Sequence, residues 1–136
     1  MLSKLMKLTQ KKHNILIIED LLSWQKNFKR LLRNEPFNIF VAANANEAGW
    51  FLKFYPIDIL LLDVNLSGVP YNVDGLRVAE QCCHKNKNVK IIIVSGSREW
   101  DKRLNTYNFN PSFILEKQNL DQDDLIKKIY LALHNE

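Results

Sequence analysis

Glu19 and Asp20 directly follow a run of mostly apolar residues, 14–18; Asp63 follows a second run, 57–62; Ser95 follows a third, 89–94; and Glu116 and Lys117 follow a fourth, 112–115. If these runs are neighbouring strands, three carboxylates (Glu19, Asp20 and Asp63), a hydroxyl and an ammonium meet on one rim. Two carboxylates about 4 Å apart repel by roughly 4 kcal/mol at an effective dielectric of about 20, and Lys117 offsets only part of that. Such a group calls for a cation. Hard oxygen ligands with positions left for water and phosphate oxygens suit Mg2+, which is usually held by one or two carboxylates, waters and a phosphoryl group. A carboxylate left uncommitted can be the nucleophile that forms an aspartyl phosphate. Phosphoryl transfer asks mainly for positioning and charge neutralisation. Lys117 would balance phosphoryl oxygens, the Ser95 hydroxyl would donate to another, and Gly96 leaves room for the incoming group. A single carboxylate after an apolar strand is ordinarily a loop residue or a helix cap; five suitable residues in order at four strand ends argue for one site.

The elements that must position these groups alternate along the chain. After the first run, Trp24, Phe28, Leu31 and Leu32 repeat with the period of an amphipathic helix, and Pro36 stops it. Residues 37–42 read as a second, more polar strand, a candidate sheet edge. Residues 47–55 read as a second helix, capped by Asn44 or Asn46 and followed by Pro56. The run 57–62 is the most apolar and is predicted at the sheet centre. A polar loop, 63–74, leads to a third helix over about 75–85, with Leu76, Val78, Ala79 and Cys82 or Cys83 inward. Ser97 can cap a short polar fourth helix near 98–107. Asp121 and Asp124 open a fifth, whose Leu125, Ile126, Ile129, Leu131 and Leu133 are expected in the core. Five strands each followed by a helix imply a parallel sheet covered on both faces, and such sheets bind ligands at the carboxyl ends of their strands.

Length and charge narrow the field. The chain has 136 residues, one domain's worth, and its 46% hydrophobic and 25% charged residues are those of a globular protein. The formal charge of +4 would raise the question of a nucleic-acid or membrane partner. That excess is local. Lys4, Lys7, Lys11 and Lys12 account for it, and residues 13–136 carry 15 basic and 15 acidic groups (19 − 4 against 15). No direct nucleic-acid binding is expected of the body. No run reaches the roughly 18–20 apolar residues that span a bilayer, no secretory leader is evident, and the adjacent Cys82 and Cys83 are poorly placed to bridge, so a reduced, cytoplasmic setting is expected.

The ordered residues resemble the response-regulator receiver domain of two-component and phosphorelay signalling. The carriers are ILIIED at 15–20, LLLD at 60–63 with Asn65 after it, Asp74-Gly75, IIIVSG at 91–96 and FILEK at 113–117. The resemblance implies an α/β fold, a single doubly wound (βα)5 unit with a five-stranded parallel sheet in the flavodoxin-like order 2-1-3-4-5. It would span residues 13–136, with 1–12 a basic N-terminal extension. It further implies that Asp63 is the phosphoacceptor, Asp20 a direct Mg2+ ligand, Glu19 its partner through water, and Asn65 a backbone-carbonyl ligand, while Ser95 and Lys117 sense the phosphoryl group. The donor would be a histidine kinase, a histidine phosphotransfer protein or a small phosphodonor. The domain would be no conventional enzyme, catalysing only its own transfer and slow autodephosphorylation.

Departures from the family pattern bear on output. Asp74-Gly75 lies further from Asp63 than is usual, Ser67 stands where proline is common, and Gln118 follows the lysine where proline is frequent. The aromatic switch three residues before the lysine is replaced by Ile114, and Phe113 beside it should point to the opposite face. Of Trp100, Tyr107 and Phe109, in or just after the fourth helix, some are expected to be exposed, on a face through which family members dimerise or bind partners; local packing is the simpler reading of scattered aromatics. Zinc at Cys82, Cys83 and His84 lacks further ligands nearby in sequence. Leu2, Leu5, Met6 and Leu8 among lysines fit a short basic amphipathic helix or, more simply, a frayed terminus. The chain is thus expected to be a stand-alone phosphorylatable switch that acts through a separate effector protein. Its rivals are a pseudo-receiver that binds proteins without phosphorylation, and a small nucleotide- or flavin-binding protein. Against the last, no Gly-rich phosphate loop follows residue 18.

Overall fold

Apolar runs with no polar face to show to water must be buried on both sides, and they pair here as the interior of one parallel sheet. The computed structural model describes residues 12–64, 74–98 and 100–134; the extension at 1–11, Asn65 and Ser67 lie outside them. The strands are β1 (His13–Ile18), β2 (Phe37–Ala42), β3 (Ile59–Leu62), β4 (Lys90–Ser95) and β5 (Phe113–Glu116), and the helices α1 (Leu22–Leu32), α2 (Ala45–Phe54), α3 (Asp74–Lys85), α4 (Asp101–Leu104) and α5 (Gln122–His134). The sheet order is β2-β1-β3-β4-β5, all parallel. β3 is central, and the more polar β2 is an edge, as its composition predicts.

The period of two divides the core. Leu16, Ile18, Leu60, Leu62, Ile91 and Ile93 face α2 and α3, whose Ala48, Leu76, Val78, Ala79 and Cys82 close over them. Ile15, Ile17, Ile59, Leu61, Ile92 and Val94 face α1 and α5, meeting Phe28, Leu31, Leu32, Leu125 and Ile129. Ile114 packs on the first face and Phe113 on the second, as alternation requires. Asn44 caps α2, its Oδ1 accepting from the Glu47 backbone N–H at 2.9 Å, while the Glu47 carboxylate accepts from the N–H of Ala43, the residue before the cap, at 3.2 Å.

Three expectations are corrected. Leu131 is 47% exposed, and the inward position of α5 belongs to Ala132. The polar segment 98–107 contributes only the single turn of α4, with Trp100 at its N-cap position rather than Ser97; the Thr106 hydroxyl donates to Arg103 O at 2.7 Å, occupying a carbonyl that a longer helix would use. None of Trp100, Tyr107 and Phe109 is exposed: Trp100 and Phe109 are buried and Tyr107 is half-buried. All three read as packing, the simpler alternative.

Gly75 is required by close approach. A Cβ there would lie 2.7 Å from Asp63 O and 2.8 Å from Val64 Cα, both rigid backbone atoms. The start of α3 therefore rests directly on the residues after β3, with Gly75 N donating to Val64 O at 3.3 Å. Gly75→Ala should cost about 1–3 kcal/mol by overpacking despite alanine's better helix propensity. Urea unfolding tests this; unchanged stability would show that α3 can lift away freely.

Candidate functional site

The register brings the polar residues together. Ile18 pairs with Leu62, Leu62 with Ile93, and Ile93 with Ile114. One residue beyond that row stand Glu19 and Asp63; two beyond stand Asp20 and Ser95; Lys117 follows β5 at the start of a short 3-10 turn, Lys117–Asn119. Backbone bonds carry the pairing past the strand ends: Glu19 N donates to Ala42 O and Asp63 N to Ile18 O, both at 3.0 Å.

Lys117 Nζ lies 2.9 and 3.0 Å from the two carboxylate oxygens of Glu19 and 3.2 Å from Asp63 Oδ2. The Ser95 hydroxyl donates to Asp63 Oδ1 at 3.3 Å. All four side chains are largely withdrawn from water: Glu19 is 0%, Asp63 6% and Lys117 9% exposed, and Ser95 is buried. Burial pushes the Glu19 carboxyl up to about 8, the charge of Asp63 adds to the rise, and Lys117 opposes it. Half-buried Asp20 is also raised, first by burial and then by Asp63. These are the signs of crowded carboxylates short of positive charge.

Glu19, Asp20 and Asp63 each present an oxygen, the three within 4.8 Å of one another, and they form the only cluster of three potential metal ligands among the described residues. An all-oxygen set with unbalanced negative charge fits a hard divalent cation. Cys82 and Cys83 are free thiols; Cys82 is buried, with its thiol pushed up to about 12 by burial, which opposes the thiolate a zinc site needs. A Cβ on Gly96 would meet only Lys117 Cδ, at 3.8 Å. Its small size is therefore not demanded by internal packing, which agrees with room kept for an incoming group.

Three partners were not visible as site residues. Trp24 places its ring 5.0 Å from Lys117 Nζ, Gln25 Nε2 donates to Glu19 O at 2.7 Å, and Gln118 Nε2 donates to Gly96 O at 2.6 Å. The last ties the lysine loop to the loop after Ser95, at the position where the family often has proline. Trp24 belonged to an apolar helical stripe and signalled only core, and amide-to-backbone bonds leave no periodic trace.

Residues 15–130 match the response regulator receiver domain family. The chain belongs to that family. Among curated relatives, this receiver is 28% identical over 119 residues to the cell cycle transcriptional regulator CtrA of Caulobacter vibrioides, covering 88% of this chain and 49% of that one. It is 30% identical over 92 residues to the aerobic respiration control protein ArcA of Escherichia coli, covering 67% and 37%. The receiver thus spans about half or less of the length of these relatives. Among solved structures, a CheY-like receiver domain from Methanospirillum hungatei superposes with a TM-score of 0.77 at 22% identity, covering 90% of this chain and 94% of that one. A receiver protein from Sinorhizobium medicae gives 0.77 at 23%, covering 92% and 97%. These likenesses bear out the flavodoxin-like fold. No helix among the described residues is long and apolar enough to cross a membrane.

Proposed function

We propose that this receiver is a phosphorylatable switch whose acceptor is Asp63, charged by a histidine kinase or a histidine phosphotransfer protein and read by a separate effector protein in the cytoplasm. The observation that supports it best is the buried convergence of Lys117 and Ser95 on the two different oxygens of Asp63. An Asp63 oxygen forms the bond to phosphorus as the phosphorus–nitrogen bond of the phosphohistidine breaks, and the leaving imidazole keeps the electron pair. Lys117 balances charge on the phosphoryl oxygens and the Ser95 hydroxyl donates to one of them. Glu19, Asp20 and Asp63 would hold Mg2+, Glu19 through water, with the Asn65 carbonyl as a further ligand. When bound, the ion supplies charge neutralisation at the transferring group. Beyond this transfer and a slow autodephosphorylation the chain is no conventional enzyme. A dimer or partner contact through the face of α4, β5 and α5 belongs to the same reading.

Ile114 favours one alternative, a pseudo-receiver that binds its partner whether or not it is phosphorylated. Exposure to an acyl-phosphate donor with Mg2+, followed by intact-mass measurement, should add one phosphoryl group to the wild type and none to Asp63→Ala. No gain with either a small donor or a cognate kinase sinks the switch reading. A gain with no change in partner affinity or oligomeric state keeps Asp63 as acceptor and leaves the binding module as the function.

A further inference from the structure

A groove of about 820 Å3 runs between α2 and α3, away from the acidic rim. Its apolar wall includes Leu52 and Val78, whereas its charged lining residues are all basic: Lys53 from α2, and Arg77 and Lys85 from α3. All three cations are exposed, and none forms an ion pair among the described residues. The concentration is local, because residues 13–136 are balanced in charge.

Gly49, in the middle of α2, also lines this groove, and a Cβ there would meet nothing within 4 Å. Glycine inside a helix costs about 0.5–1 kcal/mol relative to alanine, and no close approach among the described residues accounts for it. The vacancy keeps the groove open beside its apolar wall.

We propose that the α2–α3 groove docks an acidic amphipathic helix of a partner protein, the apolar stripe entering beside Gly49 and the flanking carboxylates meeting Lys53, Arg77 and Lys85. Helix-in-groove recognition uses apolar anchors on one helical face, and complementary charge sets register and excludes wrong partners. The chain's own N-terminal residues carry Lys4, Lys7, Lys11 and Lys12 and no acid, so their charge opposes this groove.

The test uses the full chain and a labelled synthetic helix of about 16 residues, with leucines spaced for one face and glutamates on the flanks, alongside its lysine-for-glutamate counterpart. Anisotropy should show binding of the acidic peptide that weakens with salt, and little binding of the basic one. Gly49→Leu, which fills open space, should weaken binding by about tenfold or more with melting temperature unchanged or raised. The exposed triple change Lys53→Glu, Arg77→Glu and Lys85→Glu should exchange the preference of the two peptides. The proposal is overturned by no binding of the acidic peptide, by equal binding of both, or by binding indifferent to Gly49→Leu. It is equally overturned if phosphatidylglycerol vesicles bind through these three cations while the peptide does not, or if a self-associating chain proves to be the occupant.

Discussion

Lys117→Met should destabilise the metal-free protein by about 2–4 kcal/mol near pH 8, since removing one partner of a buried ion pair leaves an uncompensated charge. Lys117 is the only cation within ion-pair distance of Glu19 and Asp63 among the described residues, and all three are nearly inaccessible to solvent. The effect depends on pH in a defined direction. The Glu19 carboxyl is raised to about 8 from 4.5, so between those values the folded state holds a proton that the unfolded state has lost. Stability from this group is therefore complete below pH 4.5 and is lost as pH rises through 8, with a slope approaching 1.4 kcal/mol per pH unit, roughly. Without Lys117, which opposes the rise, Glu19 should retain its proton to still higher pH. Mg2+ should narrow the difference between wild type and variant, because a divalent ion at the carboxylates supplies the missing charge. Lys128→Met is the contrast: its pair with Asp124 is also short, 2.6 Å, but partly exposed and one helical turn apart, and should contribute less than about 0.5 kcal/mol. Urea unfolding in EDTA across pH 5–9 reads all of this. Equal stability of wild type and Lys117→Met at pH 8 would show that Lys117 does not neutralise the rim. The same variant should accept phosphoryl groups from a small donor about 100-fold more slowly, the order seen when one preorganised donor is removed.

That the rim was legible before any coordinates follows from the strands on which it sits. Residues 15–18, 59–62 and 91–94 are apolar throughout because helices cover both faces, so each run has a sharp end, and the first polar residue beyond it must lie on the rim. Parallel pairing then fixes Glu19 beside Asp63. The helices left more open. Those with a strong apolar stripe, α1 and α3, fell within a residue or so of expectation, whereas the segment after Ser95 carries mostly polar residues and has no period to read. Its structure comes instead from specific contacts. Arg98 holds Asp101 through two nitrogens, at 2.9 and 2.6 Å, and Trp100 Nε1 donates to Ser97 O at 2.6 Å. Neither bond has a sequence signature, and together they hold Trp100 inward, which the segment's polar composition could not show. The same limit hid Gln118, whose bond to Gly96 links two loops that are remote in sequence.

Trp100→Ala should lower stability by about 3–5 kcal/mol, since the indole is 1% exposed within the core cluster that also holds Ile93 and Phe109. Trp100→Phe keeps most of the volume and should cost about 1–2 kcal/mol, chiefly the bond to Ser97 O. Ile114 packs against the same cluster, so an aromatic on this face of the sheet comes from the start of α4 instead of from β5. A double-mutant cycle tests the substitution of one source for the other. Ile114→Phe alone should overpack and destabilise by about 1–3 kcal/mol, but in the Trp100→Ala background it should recover part of the loss. Strict additivity would show that the two positions fill separate spaces. The consequence for switching is specific. Ser95 touches Asp63, and two residues later Ser97 holds the indole, so on the proposed switch reading a displacement of the Ser95 hydroxyl toward a phosphoryl oxygen would be passed to Trp100 within five residues of chain. Trp100→Phe should therefore still gain phosphoryl mass on Asp63, because no contact with Asp63, Glu19 or Lys117 is removed, yet hydrogen exchange across 98–109 should no longer respond to it. An undiminished exchange response in Trp100→Phe would break that link and place the coupling elsewhere in the fold.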